Sequence, residues 1–399
     1  MARAADILVV GGGLIGCGLA WRLRRKGLSV ILVEAGEINA GASGQNAGSL
    51  HFQLEHRFLE QDDASIRQAA PIVALSRLAV EDWRGLEAEL HADLEVEMNG
   101  GLMVAETAEQ IALLEKKQAR EADFGLKTHL LDGDEARRIA PYLSGSILAA
   151  SHLPEEGHAS PRAIAPALAR AAVAEGAEIM THTRVVSVAK AAGGFRVGVQ
   201  TQDGPLELIQ ASCVVLAAGI GAGRLAEQFN LHLPLFAAPL TLTATERAAP
   251  FMPHLIQHVA RRLSMKQTRS GNILIGGGWP SRFAQRADGG LDLRPRPILD
   301  PDALIANLTI AAEVAPAVAN LSVIRTWTGA TTVTSDQLPL VGPVSRTPGV
   351  YVATGGSGFT LGPTFSRLLA DLICGDQEAA RALAIVSPDR FGHLNSFMG

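Results

Sequence analysis

Along the 399-residue chain the apolar pattern is clearest at the N-terminus. Residues 6–10 form a short continuous apolar run with β-branched members, the mark of a strand buried on both faces. Leu14, Ile15, Leu19, Ala20 and Leu23 then recur at helical spacing, and Gly27 closes that helix. Val30–Val33 reads as a second buried strand, ending at Glu34. Apolar residues from Ile66 to Leu90 predict a helix over 62–91 with Pro71 as a kink. Gly101–Ala105 reads as strand, 108–124 as an exposed helix dense in Glu and Lys, and 132–140 as a short helix stopped by Pro141. A helix is expected from Pro161 to Gly176 with Ser160 as its N-cap, then a single strand over 177–189. Residues 195–200 and 206–210 alternate like a hairpin around Asp203 and Gly204. Strands over 214–218, 240–245, 273–276 and Val350–Thr354, and helices over Pro301–Val314 and 359–375, complete the pattern.

Two glycine turns give this alternation chemical content. Gly11, Gly13 and Gly16 follow the first strand in Gly-x-Gly-x-x-Gly spacing, and Leu14 and Ile15 open the helix. Such glycines serve a tight turn, close backbone approach to a pyrophosphate, and close helix–strand packing. The free N–H groups of a helix start suit a diphosphate. Glu34, followed by Ala35, stands where a carboxylate accepts hydrogen bonds from ribose hydroxyls. The motif implies a dinucleotide without separating FAD from NAD. Next comes the small-residue segment 41–50, with Ser43, Gln45, Asn46, Ala47 and Gly48. Loops beyond strand C-termini border the ligand crevice of an open α/β sheet, so this segment is a candidate cofactor contact. Near the C-terminus a second strand–turn–helix unit carries Gly356, Ser357, Gly358, Phe359 and Thr360.

Composition narrows the class. Hydrophobic residues make up 47% of the chain and charged residues 19%, as in a globular protein with a large core. The net charge of −5 and the absence of a basic run beyond residues 22–26 argue against a nucleic-acid partner. Glycines and charges interrupt every apolar run before the roughly 18 residues of a membrane span. The first strand starts too near Met1 for a signal peptide, so the expected location is cytoplasmic. Cys17, Cys213 and Cys374 are dispersed, form no metal-ligand spacing, and read as small buried hydrophobes.

The strand–glycine–helix–strand–Glu opening, the Ser43 loop and the C-terminal glycine turn together resemble the D-amino-acid-oxidase (DAO) superfamily of FAD-dependent amine oxidoreductases. Within it, SGQNAGSLHFQLEHRF is most similar to the beta subunits of heteromeric opine (octopine and nopaline) oxidases and of related hydroxyproline dehydrogenases. The resemblance implies an α/β (α+β) fold of the glutathione-reductase-like, two-dinucleotide-fold type. A discontinuous Rossmann-like FAD-binding domain would comprise residues 1–90, 150–232 and 325–399, and a mixed-sheet substrate domain residues 91–149 and 233–324. It further implies that backbone near Val185 and Val186 contacts the adenine, that Ala218 and Gly219 lie by the adenosine and diphosphate, and that Gly356–Thr360 faces the isoalloxazine.

The implied reaction is oxidation of a C–N bond, with hydride passing to flavin N5, hydrolysis of the imine, and transfer of electrons to partner subunits. Orientation and water exclusion matter more here than a strong base. Glycine- and D-amino-acid-oxidising relatives carry an Arg after Trp-x-Gly to pair the substrate carboxylate, whereas this chain has Ala330-Thr331-Thr332-Val333. Another partner is therefore needed. The catalytic candidates are His51, Lys266, Arg325 and Trp327, and the substrate-binding candidates are His51, Gln53, Arg57 and Gln267, with a plain surface hairpin left open for the segment after Lys266. No Cys lies between Cys213 and Cys374, so the sarcosine-oxidase type of attachment is missing and noncovalent FAD is expected. Any FMN or iron–sulfur cluster would belong to, or be shared with, partner subunits. Two other readings are a self-sufficient D-amino-acid, glycine or sarcosine oxidase or dehydrogenase, and a flavin-bearing assembly subunit without its own catalysis.

Overall fold

Continuous apolar runs and alternating ones separate into two eight-stranded sheets in the computed structural model, which describes residues 3–59, 63–201 and 204–398. The main path of the first sheet is Leu340–Pro343, Val350–Thr354, Leu206–Leu216, Arg3–Val10, Val30–Val33 and Glu178–Met180. The last five of these run parallel. Parallel strands are covered on both faces, and Leu8, Val9, Leu32 and Val215 are accordingly fully buried. The N-terminal half of Leu206–Leu216 also pairs antiparallel with Gly194–Thr201, which pairs in turn with Thr183–Ala191. The expected hairpin is present, although Asp203 at its turn lies outside the described residues. The single strand expected over 177–189 is two strands, because His182 takes a positive φ of 51° and redirects the chain.

Helix Leu14–Arg25 packs against Ile164–Ala174 and against Gly362–Ile373. Only a glycine fits at 18, where a Cβ would stand 2.6 Å from Ser366 Oγ. Ser366 Oγ in turn donates to the carbonyl of Ile15 at 3.1 Å. Helix Ile72–Leu90 buttresses the same corner: Trp83 Nε1 donates to the Thr360 carbonyl at 2.7 Å, and Asp82 accepts from Thr364 and Arg367.

The second sheet has the order Val323–Thr334, Leu235–Arg247, Asn272–Gly276, Ser264–Gln267, Leu255–His258, Gly101–Ala105, Ala149–Leu153 and His129–Asp132. It is antiparallel except between Leu255–His258 and Gly101–Ala105. Ala149–Leu153 and Val323–Thr334 both belong to it, and the boundaries expected at 150 and 325 fall inside these two strands.

Other differences have local causes. The helix expected over 62–91 is broken by Pro71 into Asp63–Ala69 and Ile72–Leu90. The helix expected from Pro161 begins at Ile164, and Ser160 supports it through its carbonyl rather than its hydroxyl. The last long helix is Gly362–Ile373, shorter than the 359–375 expected. Cys17 is buried as expected, whereas Cys374 is exposed. Helix Ala108–Asp123 is exposed over most of its surface, as expected, but its inner stripe departs: Lys117 and Glu121 are 1% and 0% exposed and form an ion pair at 2.8 Å. Removing one member of a fully buried pair leaves the other uncompensated, a loss of about 3–5 kcal/mol. Lys117→Met should therefore lower the chemical-denaturation midpoint markedly, and a change in unfolding free energy of less than about 1 kcal/mol, the scale of a surface pair, would contradict that assignment.

Candidate cofactor and substrate site

Glycine at two positions of the first turn is a steric requirement. Gly11 has φ +118°, and a Cβ there would strike the Ala217 carbonyl. A Cβ on Gly16 would fall on the Gly11 carbonyl oxygen. The Glu34 carboxylate braces the turn, with Oε2 accepting from Gly12 N and Oε1 from Gly36 N, both at 2.7 Å. Ser43 Oγ accepts from Leu14 N at 3.0 Å, which places the small-residue loop against the helix start. Asn46 caps its own short helix, donating to Ser43 O and accepting from Gly48 N, while the Gln45 amide donates to Ala40 O. Ala218 and Gly219 lie beside this turn, and Thr354 Oγ1 donates to Gly219 O at 3.2 Å. Val185 is buried, whereas Val186 points its side chain outward at 41% exposure. Ala35 is exposed at the rim.

These residues fit a dinucleotide. Each Glu34 oxygen has a second lone pair for a ribose hydroxyl. Asn39, a residue the motif did not single out, donates its N–H to Gly12 O at 3.0 Å, and its buried Oδ1 has no partner among the described residues. Its φ is 70°, in the left-handed region that Asn tolerates.

The C-terminal turn arrives from the other side. Gly358 lies near Ile15, and Ser357 takes φ 55°. Thr360 Oγ1 donates to Ser49 O and accepts from His51 N, each at 3.3 Å. Phe359 packs its ring on Trp83 with centroids 5.4 Å apart. The two glycine motifs, more than 300 residues apart in sequence, thus lie side by side.

Of the reaction-side candidates, His51 is the best placed. Its Nε2 shares a 3.2 Å hydrogen bond with Ser264 Oγ, while Nδ1 is buried without a partner among the described residues. Burial pushes the imidazole down to about 4, a shift that the neighbouring Lys266 and Arg57 charges reinforce and Glu55 opposes. Lys266 donates to Ala47 O and reaches Ser49 Oγ, so it supports the cofactor loop. Burial alone drives its ammonium well below the usual lysine range. Arg57 is held by Glu55 at 2.9 Å, Ser357 Oγ at 2.5 Å and Gln337 O at 3.0 Å. Burial of Glu55 raises its carboxyl, but Arg57 and His51 beside it hold it below its ordinary value.

Three candidates lie elsewhere than the sequence suggested. The Gln267 amide is wholly engaged by the adjoining loop, accepting from Phe251 N and Met252 N and donating to Ala248 O, Ala249 O and Gly271 O, which leaves nothing for a substrate. The Gln53 amide is buried between Glu156, Lys117 and Ser151. Arg325 is exposed in an open cleft of about 250 Å³ with Arg296 and Trp327, and the Trp327 indole donates to Gln45 O at 2.8 Å, so it holds the cofactor loop. Glu55, Glu121 and Glu156 were missed. The one available signal was the spacing of Leu114, Lys117 and Glu121, which lie on a single helix stripe. Converting Glu34 to Gln puts an N–H donor against a backbone donor, and loss of a charged hydrogen bond costs roughly ten- to hundredfold in affinity. Titration of the apoprotein with FAD should show that weakening for Glu34→Gln, and unchanged affinity would remove Glu34 from the site.

Residues 6–372 match the family model described as DAO, FAD dependent oxidoreductase. The chain is 26% identical over 407 residues to the B subunit of opine oxidase from Agrobacterium tumefaciens (strain Ach5), covering 97% of each chain. It is 34% identical over 238 residues to the A1 subunit of anaerobic glycerol-3-phosphate dehydrogenase from Haloferax volcanii, and 26% identical over 390 residues to mouse (Mus musculus) mitochondrial sarcosine dehydrogenase. Those matches take in 57% and 94% of this chain but span only 38% and 40% of the two relatives' lengths. Among solved structures, L-proline dehydrogenase from P. horikoshii superposes with a TM-score of 0.82 at 24% identity, covering 98% of this chain and 99% of that one. The glycine turns, the Glu34 brace and the match over residues 6–372 lead to one conclusion: the chain belongs to the DAO family of FAD-dependent oxidoreductases.

Proposed function

We propose that this chain oxidises the C–N bond of an amino acid bearing a secondary amine, of the opine (N-carboxyalkyl amino acid) class, and hands the electrons to partner subunits. The observation that carries the reading is the end-to-end match with the B subunit of an opine oxidase, taken with segment 330–333, which lacks the Arg expected of the glycine-oxidising relatives that the chain matches as fully. Bound FAD supplies the hydride acceptor. The chain's own residues orient the amine and exclude water. His51 is neutral at physiological pH, and its buried Nδ1 has no partner among the described residues. A group with a pKa of about 4 is too weak a base to keep the amine's proton, so its part is to orient the neutral amine or the adjoining carboxylate. Lys266 and Trp327 set the cofactor loop from the sheet below, through Ala47 O and Gln45 O. Loss of hydride from the carbon and of a proton from nitrogen leaves an imine, which water hydrolyses. Arg57 is neutralised by Glu55, and the strand segment 330–333 offers no cation, a combination suited to a substrate unlike free glycine.

The discriminating experiment is anaerobic addition of octopine, sarcosine, glycine and D-alanine to the flavin-loaded protein, read at the flavin absorbance. Octopine should bleach the flavin fastest. Fast bleaching by sarcosine, glycine or D-alanine with full oxygen turnover by the isolated chain would replace this reading with a self-sufficient oxidase. No bleaching by any of them would favour an assembly subunit. His51→Ala should retain flavin yet slow reduction tenfold or more, the usual size of a positioning or acid–base effect. The ratio to wild type should be equal at pH 6 and pH 8, since the imidazole is neutral at both. A ratio that grows as pH falls would assign His51 a charged role. Acid precipitation should release all the flavin into the supernatant, and flavin that stays with the pellet would overturn noncovalent binding.

A further inference from the structure

The segment carrying His51 has no regular structure until the short helix His56–Leu59. Phe52, Gln53 and Leu54 are nonetheless 0%, 3% and 1% exposed. Buried backbone N–H groups need acceptors, and here none comes from a neighbouring strand. Glu156 Oε1 accepts from Phe52 N at 2.8 Å and Gln53 N at 2.9 Å, and Glu121 Oε1 accepts from Leu54 N at 2.7 Å. With Thr360 Oγ1 on His51 N, four successive amides are held by side chains.

Both carboxylates come from the part of the chain that carries the second sheet. Glu121 lies on helix Ala108–Asp123, and Glu156 follows strand Ala149–Leu153 where a Cβ on Gly101 would collide with it. Lys117 ties them together, donating to Glu121 Oε2 at 2.9 Å and to Gln53 Oε1 at 2.6 Å, while Gln53 Nε2 donates to Glu156 Oε2 at 2.8 Å. Ser151, Thr128 and Gln257 complete the network. Glu156 is fully buried, and burial lifts its carboxyl to about 7 against the opposing bonds from Gln53 and the Lys117 charge. A polar network of this extent is costly to bury and does not strengthen the fold beyond what an apolar core would. Its effect is geometric: His51 at one end of the clamped segment and Glu55–Arg57 at the other both meet the C-terminal turn.

We infer that Glu156 and Glu121 are positioning residues for the reaction, fixing the backbone of residues 52–54 so that His51 and Arg57 are held against the flavin-facing turn. The inference rests on the proposed role of His51, and its test separates the two. In Glu156→Gln the remaining oxygen still accepts Phe52 N and Gln53 N, but the new amide N–H faces the Gln53 N–H. Flipping Gln53 only moves the conflict to Lys117. Gln53→Glu in the same chain removes it, since the new carboxylate accepts from both the introduced amide and Lys117.

Amide hydrogen exchange of the flavin-loaded protein, which needs no substrate, should show the 52–54 amides exchanging at least tenfold faster in Glu156→Gln and protected again in the Gln53→Glu/Glu156→Gln pair. Flavin reduction by octopine should slow ten- to hundredfold in Glu156→Gln, since misplacement by about 1 Å costs on that order, and return to within fivefold of wild type in the pair. In a His51→Ala background, Glu156→Gln should add less than threefold. If His51→Ala alone leaves reduction unchanged, the role of His51 fails. If His51→Ala slows reduction and Glu156→Gln multiplies that loss in full, or leaves both rate and exchange at wild-type values, the positioning role fails. Should Glu156→Gln not accumulate as flavoprotein, the pair decides: wild-type-like exchange and rate support the clamp, and a folded, flavin-loaded pair more than tenfold slow overturns it.

Discussion

Everything at the site depends on one helix–helix contact. Leu14–Arg25 and Gly362–Ile373 approach so closely that side chains at 18 and 362 would collide with Ser366 and Leu14. The contact brings the starts of two helices, drawn from opposite ends of the chain, to one place. A helix start carries partial positive charge and unsatisfied N–H groups. The first suits a diphosphate, and the second, with the turn before it, suits the negative charge that a flavin gains on reduction. Trp83, bonded to the Thr360 carbonyl and packed on Phe359, locks the second turn in place. The parallel sheet beneath supplies the floor, and Glu34 at the end of its second strand sets the glycine turn.

The reaction side is governed by burial more than by charge. Lys266 meets a carbonyl and a hydroxyl, while the His51 imidazole is held neutral. Arg57 is balanced by Glu55. Such a pocket presents hydrogen-bonding directions with little net field, which suits an uncharged amine awaiting hydride loss. The carboxylates that shape it lie behind the backbone, as Glu121 and Glu156, and act on its geometry through amide N–H groups.

The strand–turn–helix frame around the first glycine motif was legible in the sequence because it is set by the backbone. Glycines, a strand–turn–helix order and a terminal acid have fixed spacing, and Gly11, Gly16, Glu34 and Ser43 stand where spacing put them. The substrate half was not legible, because it depends on contacts between residues far apart in the chain. Gln267 and Gln53 carry the right functional groups, but local loops and a buried network use them up. Lys117 and Glu121 look like any exposed i, i+4 pair until the fold turns that stripe inward. The strand over 323–334 carries the Trp-x-Gly segment next to FAD-binding sequence, yet hydrogen-bonds into the other sheet.

The most direct measurement is a crystal structure of the FAD-loaded protein. The pyrophosphate should lie against the backbone of Gly13–Ile15, the ribose on Glu34 and Asn39, and the isoalloxazine between His51 and the Ser357–Thr360 turn, with His51 Nδ1 open to a bound amine. An isoalloxazine turned outward toward the cleft of Arg325 and Trp327, leaving His51 Nδ1 sealed from any ligand, would contradict the joint site.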